Sequence, residues 1–523
     1  MKRLSFFFIL FSLFFSTAGA QNPTWAKKAA NAVFTLKTFG ADGNLLASSN
    51  GFFINENGEA VSCYTPFKGA QRAIVIDAQG KEWPVEYMIG ANDMYDVAKF
   101  LVTVKKCSAL PPTTASSASG AAVWLLPYAA KKDPACIQGS VSQAEKFQQS
   151  YDYYTLDMAA DDQNVGCPLF DKEGQVIGML QPSIGTQATT SYAVSAKFAA
   201  DMVMKSLSIN EPALRSIAIP KALPDNYNEA MIALYMGASV MDEAQYDAYI
   251  DRFIQQFPNA SDGYIYRARN RAAREEFAAA DEDMKQAVKV AEKKDDAHFQ
   301  YAQIIYQKEL YQQDIPFAAW SLERALEESK EAYKCYPQPV YLQQQGQILY
   351  AMKRYDEAYN VYEALSKSDL RSAETFYAAA QCKLQMDDKK AAAVLLDSAV
   401  NTFTKPYVKT AAPYLRTRAE LYMDLRRYQL ALNDMNDVVA LEPNNAELWA
   451  QKASYELRVN LADQALESAR ECLRLNPADS DGYLMTGIAL CMKGEKQEGL
   501  KNLQKAKELG DSQAQTFIDK YSN

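Results

Sequence analysis

Histidine is close to absent from this sequence: its 523 residues include one, His298. Everything before that position therefore lacks an imidazole. This excludes histidine-based acid–base catalysis there and any multi-histidine metal set. The eight cysteines form no Cys-x-x-Cys pair, and no acidic loop carries a glycine at calcium spacing, so no metal and no cofactor is expected. A glycine-rich phosphate loop is missing too. Basic charge is not in excess: Lys and Arg number 55 against 64 Asp and Glu, giving a net charge of −9, which disfavours nucleic acid as a partner. Long apolar runs are also missing. The one conspicuous run, Leu4 to Phe15, falls short of the roughly 20 residues that span a bilayer.

That run follows Lys2-Arg3 and precedes Ala18-Gly19-Ala20, the pattern of a cleavable export signal over residues 1–20. No cysteine follows the cleavage point, so no lipid anchor is expected. The chain reads as a soluble protein, periplasmic or secreted. Export would permit disulfides. Cys63, Cys107, Cys136 and Cys167 fall in the first part of the chain. Cys335, Cys382, Cys472 and Cys491 fall in helical patterns and read as free buried thiols.

What is present divides by periodicity. Residues 24–207 carry short strand-like runs, among them Ala32 to Phe39, Gly51 to Ile54, Ala73 to Ile76, Val97 to Val102, Ala122 to Leu126 and Gln175 to Leu180. Turn signals such as Asp42-Gly43-Asn44, Asn57-Gly58, Gln79-Gly80 and Glu173-Gly174 separate them, a pattern of an all-β sandwich or barrel.

Four ordered segments give this region a family outline. They are Asn50 to Gly58, Ala60 to Ala70, Tyr95-Asp96-Val97-Ala98, and Asp157 to Phe170 with the hairpin that follows it. Together they resemble the trypsin-like serine proteases, above all the high-temperature-requirement branch. In the last segment Asp157, Asn164, Gly166, Pro168 and Leu169 match the family's nucleophile loop. The resemblance implies a double β-barrel and places Thr65 at the histidine position, Asp96 at the aspartate, Val165 at the serine and Gln163 at the oxyanion glycine. A triad needs a hydroxyl, an imidazole and a carboxylate. Val165 cannot attack, Thr65 is no base near neutral pH, and Gln163 lacks the backbone freedom of glycine. The expectation is a catalytically degenerate domain, not an enzyme. Cys167 has no histidine to activate it and is expected to be inert or disulfide-bonded. Cys63–Cys167 and Cys107–Cys136 are pairings that the resemblance allows. The family's peptide-binding strand would pass Leu180-Gln181-Pro182-Ser183, where Pro182 has no N–H to donate and weakens the groove.

Residues 208–226, with Pro212, Pro220 and Pro224, read as a linker. From residue 227 to 523 a 34-residue period appears: Leu415, Trp449 and Tyr483; Ala431, Ala465 and Gly499; Pro443 and Pro477. An aromatic early in the unit, a small residue at the eighth position and alanine at the twentieth resemble the tetratricopeptide repeat. Units begin near Asn228, Ser261, Asp296, Tyr341, Ala373, Ala412, Ala446 and Ser480, and a terminal capping helix follows Gly510. The resemblance implies an all-α solenoid whose inner helices line a groove, with Gln343, Gln347, Tyr350, Tyr377, Gln381, Arg416 and Glu420 as candidate lining. His298 falls at an early aromatic position and is expected to pack. A protein or peptide partner is expected, held by an exported non-catalytic scaffold. A periplasmic chaperone or secretion-assembly factor, or a peptidase with an unrecognised site, are the alternative readings.

Overall fold

A computed structural model describes residues 22–183 and 189–522. The expected export signal lies outside the described residues. Contacts divide the chain into two units, Met1–Pro258 and Asn259–Asn523.

Among the described residues the first unit is built on twelve strands in two closed antiparallel barrels. The first contains β1 (Val33–Phe39), β2 (Leu45–Phe53), β3 (Glu59–Ser62), β4 (Arg72–Ile76), β5 (Glu82–Asn92) and β6 (Val97–Val102). The second contains β7 (Ala122–Leu125), β8 (Ile137–Phe147), β9 (Tyr151–Asp157), β10 (Pro168–Phe170), β11 (Val176–Leu180) and β12 (Thr190–Ser195). Around the first barrel the order is β1-β2-β3-β6-β5-β4, and the second repeats it as β7-β8-β9-β12-β11-β10. Closure comes from β1 on β4, with Thr35 opposite Ile76, and from β7 on β10, with Leu125 opposite Leu169. Alternation turns one face of each strand inward. Phe34, Phe53, Phe67 and Phe100 fill the first barrel in edge and tilted ring contacts. Leu125, Leu156, Leu169, Met179 and Val194 fill the second.

The stretch read as a linker is a strap laid on the first barrel. Gly69 N–H donates to Ser216 O at 2.8 Å, Ala218 N–H to Ala70 O at 2.9 Å, and Met88 N–H to Pro220 O at 2.8 Å. The strap's own Leu214, Ile217, Ile219 and Leu223 are buried. The strap leads into helices Tyr227–Val240 and Glu243–Gln256, the latter opened by a capping box between Asp242 and Gln245. This first helix pair belongs to the first unit.

The remaining helices of the second unit run in pairs from Ser261–Ala273 with Phe277–Val290 to Ser480–Met492 with Lys496–Glu508, and helix Ala514–Ser522 ends the series. With the pair at 227–256 that makes eight pairs among the described residues. Helix starts at Ser261, Ala373, Ala412, Ala446 and Ser480 coincide with the repeat register read from sequence. The small residues act as that register requires. A Cβ on Gly487, at the eighth position, would lie 2.9 Å from Gly499 O, and one on Gly499, at the twentieth, would lie 2.8 Å from Gly487 O. The two helices of the unit therefore touch backbone to backbone at these positions. Among the described residues no helix is long and apolar enough to cross a membrane.

Candidate functional site

The positions singled out by the nucleophile-loop pattern come from three turns between strands. Thr65 opens the helical turn Thr65–Phe67 after β3, Asp96 precedes β6, and Val165 follows the turn Asp162–Asn164 before β10. Asp96 adopts a positive φ of 47°, and its carboxylate accepts the Thr65 backbone N–H at 2.6 Å. Thr65 and Asp96 are thus joined, through the backbone.

Val165 is tied to the same region by Asn50. The Val165 carbonyl accepts from the Asn50 backbone N–H and from Asn50 Nδ2, both at 3.1 Å, while Nδ2 also reaches Gln163 O at 2.7 Å. The Asn50 carbonyl accepts Ser62 Oγ at 2.5 Å, three residues before Thr65. Gly166 makes this approach sterically feasible. Its φ is +86°, and a Cβ there would fall 2.0 Å from Asn50 O. Sequence reasoning singled out Gly166 as a family match but missed Asn50, whose role is visible only once β2 and the loop are side by side.

The two N–H groups that would form an oxyanion hole are already occupied. Gln163 N–H donates to Asp161 Oδ1 at 3.1 Å, and Val165 N–H to Asp162 O at 3.3 Å. Asp161 also takes Asn164 Nδ2 at 2.8 Å. The expected peptide-binding strand is engaged as well. Gln181 N–H bonds Tyr192 O, Pro182 has none, and Ser183 gives both its N–H and its Oγ to Asp162 Oδ1, at 3.2 and 2.8 Å.

None of the eight cysteines is disulfide-bonded, so neither suggested pair is formed in this structure. Cys63 and Cys167 are nonetheless buried in one core cluster, and both touch Leu180. Cys63 Sγ donates to Leu180 O at 3.8 Å, and the Cys167 carbonyl accepts Leu180 N–H at 3.0 Å. Burial raises the Cys63 thiol pKa, and the neighbouring Asp96 carboxylate and Cys167 push it further up. Burial pushes Cys167 up to about 12. Both are therefore protonated thiols, the poor nucleophilic form. Cys107 and Cys136 are held by separate partners. Cys107 Sγ donates to Asn55 O at 3.3 Å, and Cys136 N–H donates to Asn22 Oδ1 at 3.0 Å.

Among the described residues no group of three or more His, Cys, Asp or Glu is placed to hold a metal. His298 makes a 2.5 Å contact through Nδ1 with the buried Glu328, which also pairs with Arg324, so it is part of a packed polar cluster.

In the second unit, Tyr350 meets Tyr355 edge-on at 5.3 Å, and Tyr377 meets Tyr414 at 5.4 Å. Arg416 pairs with Glu447 at 2.5 Å across successive inner helices. Gln343, Gln347 and Gln381 are half-buried, and Glu420 is exposed. The aromatic candidates thus pack against other tyrosines, Tyr355 and Tyr414, and the polar ones are dispersed.

Residues 49–179 match the family model described as a trypsin-like peptidase domain. The double barrel is a trypsin-like peptidase domain. The helical part has repeat-protein relatives. One is the small glutamine-rich tetratricopeptide repeat-containing protein 2 of Saccharomyces cerevisiae, 25% identical over 116 residues, or 22% of this chain and 34% of that protein. Another is the TPR repeat-containing thioredoxin TDX of Arabidopsis thaliana, 30% identical over 95 residues, or 18% and 25%. The chain thus spans 34% and 25% of the length of these curated relatives. A solved structure, the active form of the Rv3671c protease from M. tuberculosis, aligns with TM-score 0.30 and 18% identity, over 33% of this chain and 80% of that one. Residues 49–179 therefore carry a trypsin-like fold, and the helical part is similar to tetratricopeptide-repeat proteins.

Proposed function

We propose that this protein is an exported, non-catalytic scaffold: its trypsin-like domain is a pseudoprotease, and its repeats bind a protein or peptide partner. The observation that carries this reading is the state of the nucleophile loop. Val165 offers no nucleophilic atom, and the N–H groups of Gln163 and Val165 are bonded within their own turn. Serine-type acyl transfer needs an attacking oxygen, a base and free donors at the developing oxyanion. All three are wanting here. The thiol alternative is disfavoured by the high pKa of Cys167 and the absence of histidine before residue 298. Export rests on the sequence of residues 1–20. Partner binding rests on the repeat architecture, since stacked helix pairs present extended surfaces.

The test is crosslinking in the native cell envelope, followed by recovery of the full chain, of residues 22–258 and of residues 259–523. A specific polypeptide recovered with 259–523 and absent from 22–258 supports the scaffold. Recovery of many unrelated unfolded chains with both fragments would replace it with the chaperone reading.

A further inference from the structure

A cavity of about 220 Å³ lies between the strap and the first helix pair, away from the nucleophile loop. Its walls are apolar in part, with Ile209, Ile217, Ile219, Val240 and Met241 among them. Three cationic side chains, Arg215, Lys221 and Arg252, also line it, and no acidic residue does among the described residues. Such a bias is unusual in a chain of net charge −9.

The two inner cations are incompletely satisfied. Lys221 Nζ donates to the carbonyls of Ile217 and Ile219, and an ammonium has three N–H bonds to place. Burial holds its pKa down to about 8, with no carboxylate beside it to restore the charge. Arg252 lies over the Tyr87 ring at 4.2 Å, and its buried Nη1 has no hydrogen-bond partner. Glu86, an exposed carboxylate, is within electrostatic range of Arg252 but does not line the cavity. Buried cations lacking partners are costly, and a ligand anion would relieve the cost. The cavity walls are held in place from both sides: Gln245 Nε2 donates to Ala218 O and Tyr249 OH to Ala222 O, each at 3.4 Å.

We propose that this cavity binds a carboxylate carried on a compact apolar group, the chemistry shared by the C-terminal residue of a peptide and by a free short-chain acid. The carboxylate meets Lys221 Nζ and Arg252 Nη1, and the apolar part fills the isoleucine-lined end. Size sets the class: an apolar cavity of about 150 Å³ accepts benzene, so this one takes a leucine-sized group but no long acyl chain. The site is separate from the protease-like cleft, and failure of either reading leaves the other standing.

Titration calorimetry on the full chain tests it with three probes: hexanoate, the tripeptide Ala-Ala-Leu with a free carboxylate, and the same tripeptide as its C-terminal amide. At least one acid is expected to bind at one per chain, with the amide about tenfold weaker or worse. Binding of the peptide acid alone identifies a polypeptide terminus as the ligand, and binding of hexanoate alone identifies a free acid. Lys221→Met and Arg252→Met are each expected to weaken binding about tenfold or more. Arg215→Gln, on the exposed rim, should weaken it severalfold with the fold intact, which keeps the test decisive if a buried variant unfolds. Equal affinity for acid and amide, no binding of either acid at millimolar concentration, or an unchanged affinity in Arg215→Gln and in whichever of the other two variants folds would overturn the proposal.

Discussion

At Gly166 two demands meet in one residue: a φ of +86° and a Cβ position 2.0 Å from Asn50 O. Any side chain would push the nucleophile loop off β2. Gly166→Ala is expected to destabilise the first unit by about 2–4 kcal/mol, read by chemical denaturation. Val165 next to it is half-buried against the core of the second barrel. The double variant Thr65→His with Val165→Ser should remain inert to a fluorophosphonate probe, because Gln163 N–H stays bonded to Asp161. Thiol reactivity follows burial in the same way. At pH 8 iodoacetamide should label the exposed Cys335 readily and spare Cys63 and Cys167 until the chain unfolds, as peptide mass mapping would show. Lys221 gives a pH signature. Its folded form loses the proton near pH 8, the unfolded form near 10.5. Between those values the unfolded chain binds more protons, so stability contributed at this site rises with pH. The difference in unfolding free energy between the parent and Lys221→Met should therefore shift in favour of the parent from pH 8 to 10.5.

Among the elements, the strap and one recurring ion pair hold the most weight. A fragment of residues 22–207 would uncover Leu214's and Ile217's burial sites and the backbone of Met88, whereas 22–258 keeps them covered. The shorter fragment is expected to melt lower and aggregate, and the longer one to unfold cooperatively. In the repeats, Arg267 with Asp283 and Arg418 with Asp434 each span 16 residues and occupy the same place in their units. Arg418 also holds Asp397 at 3.0 Å. Arg418→Met strands a buried carboxylate and should cost about 3 kcal/mol in the second unit. Legibility in the sequence varied with how each element is buried. β6, with Val97, Ala98, Phe100 and Val102 inside, was plain from its residues. β8 was not, because of its eleven residues Val141 alone is buried and no alternation marks the rest. The strap showed its prolines but not its packing, since an extended segment buries residues at irregular spacing.

Across the whole molecule, two architectures follow one another in the chain, and each declares itself through a different kind of signal. The barrels were readable from ordered motifs, and the helical repeats from a 34-residue period that the small residues at Gly487 and Gly499 explain physically. Thr65, Asp96 and Val165 stand out in the sequence as well, each in a turn between strands. Asn50, Asp161 and Asp162 do not, because they act by bonding backbone groups brought close only in the fold. Lys221 and Arg252 both line a cavity that no local pattern announces. Absence of cutting by the trypsin-like domain is the proposal on which the rest depends. It is tested most directly by incubating the full chain with denatured casein and following the release of soluble peptide, with fluorophosphonate and iodoacetamide labelling alongside. No turnover above buffer and no fluorophosphonate adduct are expected. Casein turnover that Cys167→Ala abolishes would contradict the claim.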